Sequence, residues 1–298
     1  MISFNSTFIK NAFIGQNQIG SSASVNLVED IESTESITDM QIFTKKLNLP
    51  ISCFIKQTNM LNRFYIRYFI KDNEEPICGH GTLVATKFLI DNNLINSNKV
   101  EYIPLMTPNK PIIATINNNL ISIFIQTIKP KHININSEIG QKITKSITHK
   151  NNIKLFNIIE IVEGELDYTI EISKNHNNIS SNDVIKSIVP DFGMIEQIKL
   201  SSGKLCRGID VVIKNNEKTE VAQEDFISRI FLPLGADIKY KEDPACGSGN
   251  AYITRYLIEK YPTFKTCSIK IYQASSDGAI IITKNEDNGI IKVSGYVG

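Results

Sequence analysis

The sequence has little net charge, no long apolar run and few, widely spaced cysteines. Lys plus Arg number 32 and Asp plus Glu 31, so the net charge of +1 lacks the positive excess expected of proteins that bind nucleic acid or anionic membranes. No stretch approaches the roughly 18 apolar residues of a membrane-spanning helix. These absences leave a small molecule as the expected partner, with no nucleic acid and no membrane.

The cysteines number five, an odd count, and no two lie within twenty residues of each other. They occupy positions 53, 78, 206, 246 and 267. This spacing indicates neither a zinc cluster nor a disulfide framework. Residues 1–13 are interrupted by polar side chains and lack the apolar core of a signal peptide. We therefore expect a cytoplasmic protein with reduced thiols.

Two segments repeat each other, Glu75–Ile90 and Asp243–Ile258, and they align without a gap. Identical residues in the two copies are Pro76/Pro244, Cys78/Cys246, Gly79/Gly247, Gly81/Gly249, Thr86/Thr254, Leu89/Leu257 and Ile90/Ile258. A repeat of this length predicts two related halves. We place the boundary in the polar stretch at Lys129, giving domains 1–128 and 129–298, with the last strand free to return to the first domain.

Each copy of the repeat predicts a turn that opens a helix with a cysteine at its start. Proline disfavours a helical residue before it, the two glycines allow a tight bend, and the apolar run behind them has helical spacing. Exposed N–H groups and the helix dipole at such a position attract anions and lower the pKa of a thiol. A lone free cysteine is more often a small core residue, but two at matching positions favour catalysis.

Short strand-like segments precede and follow each predicted helix. In the first half these are Phe8–Phe13, Ala23–Leu27, Ser52–Gln57, Arg63–Ile70, Val100–Pro104, Ile112–Asn117 and Leu120–Thr127. The second half repeats the arrangement with a longer loop before its cysteine. Strands, one long helix and then more strands predict an α+β fold in which a curved sheet surrounds a central helix.

The sequence resembles the PhzF-like phenazine-biosynthesis isomerase family, within the diaminopimelate epimerase and proline racemase superfamily. The residues that carry the resemblance are Phe13, Gly20–Val25, Met40-Gln41, Asn48-Leu49, Arg67–Phe69, Cys78–Thr82, Ser228-Arg229, Phe231, Pro233, Glu242–Pro244 and Gly247-Ser248. The resemblance implies two similar domains, each a barrel-like sheet wrapped around a central α-helix, as in diaminopimelate epimerase. It also implies an active site between the domains and no cofactor.

The resemblance places the family's polar site group on His80, Asp243 and Ser248. Two departures change what it implies. The family's catalytic glutamate, two residues after the Asn-Leu pair, is replaced by Ile51, which cannot carry a proton. Phenazine-type members usually have threonine where this chain has Cys246, whereas the epimerases and racemases have a cysteine at the start of each helix.

The leading hypothesis is a cofactor-independent racemase or epimerase that inverts the α-carbon of an amino acid or derivative, with Cys78 and Cys246 as the two proton carriers. Expected substrate-binding residues are Gly79, His80, Gly81, Asp243, Gly247, Ser248 and Gly249. Two alternatives stay open: a PhzF-type isomerase that uses Asp243 and His80 without the glutamate, and a non-catalytic small-molecule-binding protein. No metal is expected, because Cys78 and His80 alone form a weak site; a homodimer is left open.

Overall fold

The computed structural model describes residues 7–60, 62–95, 102–108, 111–148, 155–201, 206–217, 223–233 and 241–298. The chain divides into two compact units. Unit 1 comprises residues 1–124 and 294–298, and unit 2 comprises residues 125–293. The predicted boundary after residue 128 stays a prediction.

Unit 1 is a closed sheet of eight strands, counted over the described residues, around one helix. Its strands follow the order β1-β2-β3-β4-β6-β7-β8-β16, and β16 returns to pair with β1. The strands are β1 (Phe8–Ile14), β2 (Ser21–Leu27), β3 (Ile51–Gln57), β4 (Phe64–Phe69), β6 (Ile103–Met106), β7 (Pro111–Asn117), β8 (Leu120–Gln126) and β16 (Ile290–Val297), with the short β5 (Glu74–Glu75) beside β4.

Helix α2 (Gly79–Asp91) fills the interior of unit 1, and α1 (Thr34–Leu47) covers the outside of β3 and β4. Helix α2 is apolar nearly all round, as a helix inside a core must be. Its Leu83, Val84 and Leu89 side chains are fully buried, and the helix packs on β1, β2, β3 and β7. The sheet therefore holds the N-terminus of α2 at a fixed place.

Unit 2 repeats the plan around α6 (Gly247–Lys260), which packs on β11, β12 and β15. Its sheet runs β16-β15-β14-β13-β12-β11-β10-β9. These strands are β9 (Lys131–Ile133), β10 (Phe156–Glu163), β11 (Asp167–Lys174), β12 (Gly208–Lys214), β13 (Phe226–Phe231), β14 (Ser268–Gln273) and β15 (Ala279–Asn285). Three further helices, α3 (Glu138–Thr148), α4 (Ser181–Lys186) and α5 (Phe192–Ser201), pack on an apolar cluster that includes Ile143, Val184 and Ile195.

The predicted α+β class, with two similar sheet-and-helix domains, is confirmed. Two elements, helix α5 and strand β9, were not predicted from the sequence. Lys131, in the polar stretch where we placed the domain boundary, belongs to β9 because it pairs with Glu163. The predicted strand Val100–Pro104 falls partly outside the described residues, where β6 begins at Ile103. Among the described helices none is long and apolar enough to cross a membrane.

Candidate active site

Both repeat cysteines are the N-cap residues of the central helices, as the repeat predicts. Cys78 precedes α2 and Cys246 precedes α6, each with an extended backbone. The Cys78 sulfur accepts a hydrogen bond from the Gly81 N–H at 3.4 Å, and the Cys246 sulfur accepts one from the Gly249 N–H at 3.3 Å. A thiolate here receives an N–H donor and the positive end of a helix dipole.

The glycines serve a purpose other than the expected bend. Gly81 and Gly249 lie inside regular helix, and neither is among the glycines with positive φ. A Cβ atom on Gly81 would lie 2.8 Å from the Cys53 sulfur, and one on Gly249 would lie 2.6 Å from Cδ1 of Ile230. Glycine is required there because the space beside each cysteine is already filled.

The N–H groups of Gly81 and Gly249 point at the sulfur atoms. An N–H group in this position can stabilise negative charge on the sulfur. The sequence predicts that all four glycine N–H groups, including those of Gly79 and Gly247, stabilise charge on the substrate, and that role stays a prediction.

The residue four positions after each cysteine holds the cysteine's carbonyl oxygen. In unit 1, Thr82 Oγ1 donates to the Cys78 oxygen at 2.6 Å and shares a hydrogen bond with the buried Tyr68 hydroxyl. In unit 2, Asn250 Nδ2 donates to the Cys246 oxygen at 2.8 Å, and Ser228 Oγ donates to Asn250 Oδ1. Different side chains thus fix the same backbone geometry, and they tie each helix start to β4 or β13.

The surroundings of Cys78 place an imidazole against a half-buried thiol. Nδ1 of His80 is 3.4 Å from the Cys78 sulfur, and His80 is itself 9% exposed. A histidine in contact with a thiol can hold its proton and stabilise the thiolate. The structure places His80 against the sulfur, and its predicted contact with substrate stays a prediction.

Ile51, at the position of the family's glutamate, lies on β3 beside the start of α2. It is fully buried, with its Cγ2 atom 3.4 Å from the point where a Gly81 Cβ would stand. The neighbouring Cys53 is also buried, and burial raises the pKa of its thiol. This corner of unit 1 is therefore apolar, and Ile51 fills it without offering an acid.

Cys246 is buried, with 4% of its surface exposed, and this overturns one expectation from the sequence. Burial and the Asp243 carboxylate raise the pKa of the Cys246 thiol well above its usual value, although the sequence predicts a lowered pKa. The loss of water around the sulfur outweighs the helix dipole and the Gly249 N–H. A raised pKa favours the protonated thiol at neutral pH.

An ion pair stands behind Ser248 in unit 2. Arg207 pairs through Nε and Nη2 with both carboxylate oxygens of Asp167, a residue with no solvent exposure. Its Nη1 donates to Ser248 Oγ at 2.8 Å, and that oxygen is 3.6 Å from the Cys246 sulfur. Ser248, predicted to bind substrate, thus connects the partly buried Arg207 to the thiol.

Asp210 is a second buried acid near Cys246. Its side chain is fully buried on β12, and neither carboxylate oxygen has a hydrogen-bond partner among the described residues. A Cβ on Gly249 would be 3.3 Å from Asp210 Oδ1 and 3.2 Å from the Cys246 sulfur. Burial and the Asp167 carboxylate raise the pKa of Asp210 well above its usual value, so Asp210 is held as a neutral acid.

Asp243 stabilises the turn that leads into α6. Its Oδ1 accepts the Ala245 N–H at 2.9 Å, and its backbone oxygen accepts a hydrogen bond from Gln273 Nε2 at 2.5 Å. The same Gln273 side chain accepts the Cys246 N–H at 2.8 Å through its Oε1. The predicted contact of Asp243 with substrate stays a prediction.

An Arg–Glu ion pair is duplicated ahead of the two cysteines. Arg67 holds Glu74 through Nε and Nη2, at 2.7 and 2.6 Å. Arg229 holds Glu242 in the same way, at 2.8 and 2.7 Å, and its Nη1 also donates to the backbone oxygen of Ile188. Each pair fixes the segment that leads from a strand to a capping cysteine.

Sequence reasoning missed Arg207, Asp167 and Asp210. All three lie outside the repeat: Asp167 begins β11, Asp210 lies within β12, and Arg207 directly precedes β12. A charged residue in the apolar run Ile209–Ile213 was the available signal, because burying an acid is costly. Within the described residues, no group of three or more His, Cys, Asp or Glu side chains is placed to hold a metal ion.

A family model described as phenazine biosynthesis-like protein (PhzC-PhzF) matches residues 10–295. The chain belongs to this PhzF-like family. Several relatives that resemble it are named isomerases, and the protein is an isomerase. One such relative is an uncharacterized isomerase of Halalkalibacterium halodurans, 26% identical over 280 residues, which cover 93% of this chain and 89% of the relative.

Solved structures share the PhzF-like chain's fold. A PhzF-family protein of Enterococcus faecalis has a TM-score of 0.75 at 21% identity, covering 98% of this chain and 95% of its own. A hydroxyproline epimerase of Agrobacterium vitis, solved with trans-4-hydroxy-L-proline bound, has a TM-score of 0.56 at 9% identity. The match covers 99% of this chain and 91% of the epimerase. The fold is thus common to PhzF-type proteins and amino-acid epimerases.

Proposed function

We propose that this PhzF-like protein is a cofactor-independent racemase or epimerase, which inverts the α-carbon of an amino acid or amino-acid derivative by proton transfer between Cys78 and Cys246. The observation that carries the proposal is the pair of sulfur atoms, each the N-cap of a central helix and each accepting a glycine N–H. A PhzF-type isomerase has no need of the second cysteine.

The proton transfer balances without any other reactant. A thiolate at Cys78 takes the α-proton, and the C–H electron pair moves into the carboxylate to form an enolate. The Cys246 thiol then gives its proton to the opposite face of the carbon and becomes the thiolate. The buried thiol at Cys246 and the His80 imidazole at Cys78 support this assignment for the first substrate bound. The reverse reaction starts from the opposite protonation state.

The weak acidity of the α-proton is the main energetic obstacle. Backbone N–H groups at the helix starts are the proposed stabilisers of the enolate, and a single donor of this kind typically contributes about 3 kcal/mol. Because the Gly81 and Gly249 N–H groups face the sulfurs, Gly79, Gly247 and the residues beside them are the proposed donors. His80, Asp243 and Ser248 complete the proposed substrate-binding set.

The second candidate is a PhzF-type isomerase in which Asp243 and His80 move the proton without the glutamate. Family membership over residues 10–295 favours it. Two contacts weigh against it: Asp243 Oδ1 is engaged by the Ala245 N–H, and His80 lies against Cys78. We do not carry the non-catalytic alternative forward, since the chain belongs to a family of isomerases.

Hydrogen exchange in heavy water tests the proposal. The purified protein is incubated with a panel of amino acids, hydroxyprolines and short peptides, and deuterium at the α-carbon is measured by proton NMR together with chiral chromatography. We expect α-deuteration accompanied by inversion for at least one substrate class. Double-bond migration in an allylic acid, with no α-exchange across the panel, would support the PhzF-type candidate instead.

The expected partners, location and oligomeric state of the protein are also proposals. We propose a small-molecule substrate, no nucleic-acid or membrane partner, and a cytoplasmic location, on the near-neutral net charge and the sequence features described above. A homodimer stays an open proposal that sedimentation of the purified protein will decide.

A further inference from the structure

Arg207 is a charged residue close to Cys246 that the proposed proton transfer does not yet use. Its guanidinium lies between Asp167, the Ser248 hydroxyl and the ring of Tyr252, whose centroid is 5.7 Å from Arg207 Cζ. The side chain is 23% exposed, whereas its partner Asp167 is fully buried. These three contacts hold the guanidinium and its positive charge near the start of α6.

The hydrogen-bond directions connect Arg207 to the sulfur. A guanidinium can only donate, so Ser248 Oγ must accept from Arg207 and its own hydrogen points elsewhere. The Cys246 sulfur lies 3.6 Å from that oxygen, within reach of the remaining hydrogen. A thiolate can only accept. Arg207 thereby orients the Ser248 hydroxyl to donate to Cys246 when the thiol has lost its proton.

The other charged groups around Cys246 oppose its ionisation. The carboxylates of Asp243, ahead of α6, and Asp167, on β11, disfavour a negative sulfur, whereas Arg207 favours it. Asp210 on β12 is the neutral acid described above, and the neighbours from β13 and β14, Ile230, Ser228 and Gln273, are uncharged. Arg207 is thus the positive charge that offsets the Asp243 and Asp167 carboxylates.

We propose that Arg207 is a positioning residue for Cys246, which holds a positive charge and an oriented Ser248 hydroxyl against the sulfur and so governs how readily the thiol gives up its proton. The role of that proton in catalysis rests on the proposed function. The effect of Arg207 on the ionisation of Cys246 is independent of the proposed function, because it concerns only one thiol of the resting protein.

Alkylation of Cys246 by iodoacetamide, followed across pH by peptide mass spectrometry, tests this role without turnover. The exposed Cys267 of the same unit is the internal reference in every sample. Arg207→Gln keeps a donor for Ser248 but removes the charge. We expect the midpoint of the Cys246 rate profile to rise by about one pH unit or more, which is a roughly tenfold slower reaction at a fixed pH below the midpoint. Arg207→Lys should restore most of the difference.

Ser248→Ala provides a second test in case an Arg207 variant fails to fold. It keeps the Arg207–Asp167 pair and removes only the link to the sulfur, so we expect a smaller rise in the same direction. Unchanged or lowered midpoints in Ser248→Ala and in the folded Arg207 variants would overturn the proposal. A protein that shows these shifts but exchanges no α-proton would instead refute the proposed function and leave the role of Arg207 intact.

Discussion

The start of α2 and the start of α6 have the same backbone geometry in different electrical surroundings. Both are capped by a cysteine whose sulfur accepts the N–H three residues on. Cys78 is half-buried beside His80, whereas Cys246 is buried among carboxyl groups and connected through Ser248 to Arg207. A repeated sequence can therefore duplicate a geometry while the residues around each copy give it different polar and charged neighbours.

The difference has a chemical use in the proposed reaction. A two-sided proton transfer needs one carrier without its proton and one with it at the moment the substrate binds. In the proposed reaction Cys78, beside the His80 imidazole, is the carrier without its proton. Cys246, whose thiol has a pKa raised by burial, is the carrier that holds its proton.

Replacing either repeat cysteine should have the largest effect on activity. Cys246→Ser should lower the rate of inversion by about 10²–10⁴-fold, because a serine hydroxyl is a far weaker acid than a thiol. It should leave slow α-deuteration of the one enantiomer whose proton faces Cys78, and Cys78→Ser should do the converse. Chiral chromatography and proton NMR measure the two quantities separately.

Matched variants identify the alternative mechanism. Cys267→Ser, at an exposed position, should retain full activity. Asp243→Asn should be milder than either catalytic substitution, because it spares both proton carriers. A fully active Cys246→Ser protein, with Asp243→Asn inactive, would contradict the two-cysteine mechanism and point to PhzF-type chemistry.

Substitutions in the duplicated Arg–Glu ion pairs test how much each pair stabilises its own unit. Arg229→Ala should lower the free energy of unfolding by about 2 kcal/mol, since it strands Glu242 and removes the donor to the Ile188 oxygen. Arg67→Ala should cost a similar amount, because Glu74 loses an equal partner and the Ile31 oxygen loses its donor. Urea denaturation measures both.

A surface pair supplies the control for these arginines. Lys45 and Asp72 are about two-thirds exposed and 3.7 Å apart, so Lys45→Ala should leave the urea midpoint unchanged. An equally small effect of Arg229→Ala would show that its ion pair does not hold the segment ahead of Cys246.

Asp210→Asn should reveal the neutral acid through a pH-dependent gain in stability. Because the pKa of Asp210 is raised in the folded protein, the unfolded chain releases this proton above about pH 4 while the folded chain keeps it. The stability that Asp210 contributes is therefore lost progressively as pH rises from there towards its folded pKa. Asparagine cannot ionise, so the melting temperature of the variant relative to the parent should increase with pH.

Thermal melts at several pH values between 4 and 8 check the direction of this change. A relative melting temperature that falls with rising pH would mean that Asp210 is ionised and stabilised in the folded state.

The repeat allowed much of the fold and half of the site to be predicted. Cys78 and Cys246 were placed at helix starts because proline, glycine and apolar spacing act locally, and the strands followed from alternation. Arg207, Asp167 and Asp210 could not be predicted, because strand pairing brings β11 and β12 together across some forty residues of sequence. The pKa of Cys246 was predicted in the wrong direction for the same reason: burial depends on the whole unit.

Strand β16 belongs to both units, and this affects how the chain is made. Its residues up to Val293 count with unit 2, and Ser294–Gly298 complete the sheet of unit 1 by pairing with β1. Unit 1 therefore cannot close while the ribosome is still synthesising unit 2, and until then β1 and β8 present unpaired edges. The first unit to be translated is therefore the last to be finished, because its closing strand leaves the ribosome after all of unit 2.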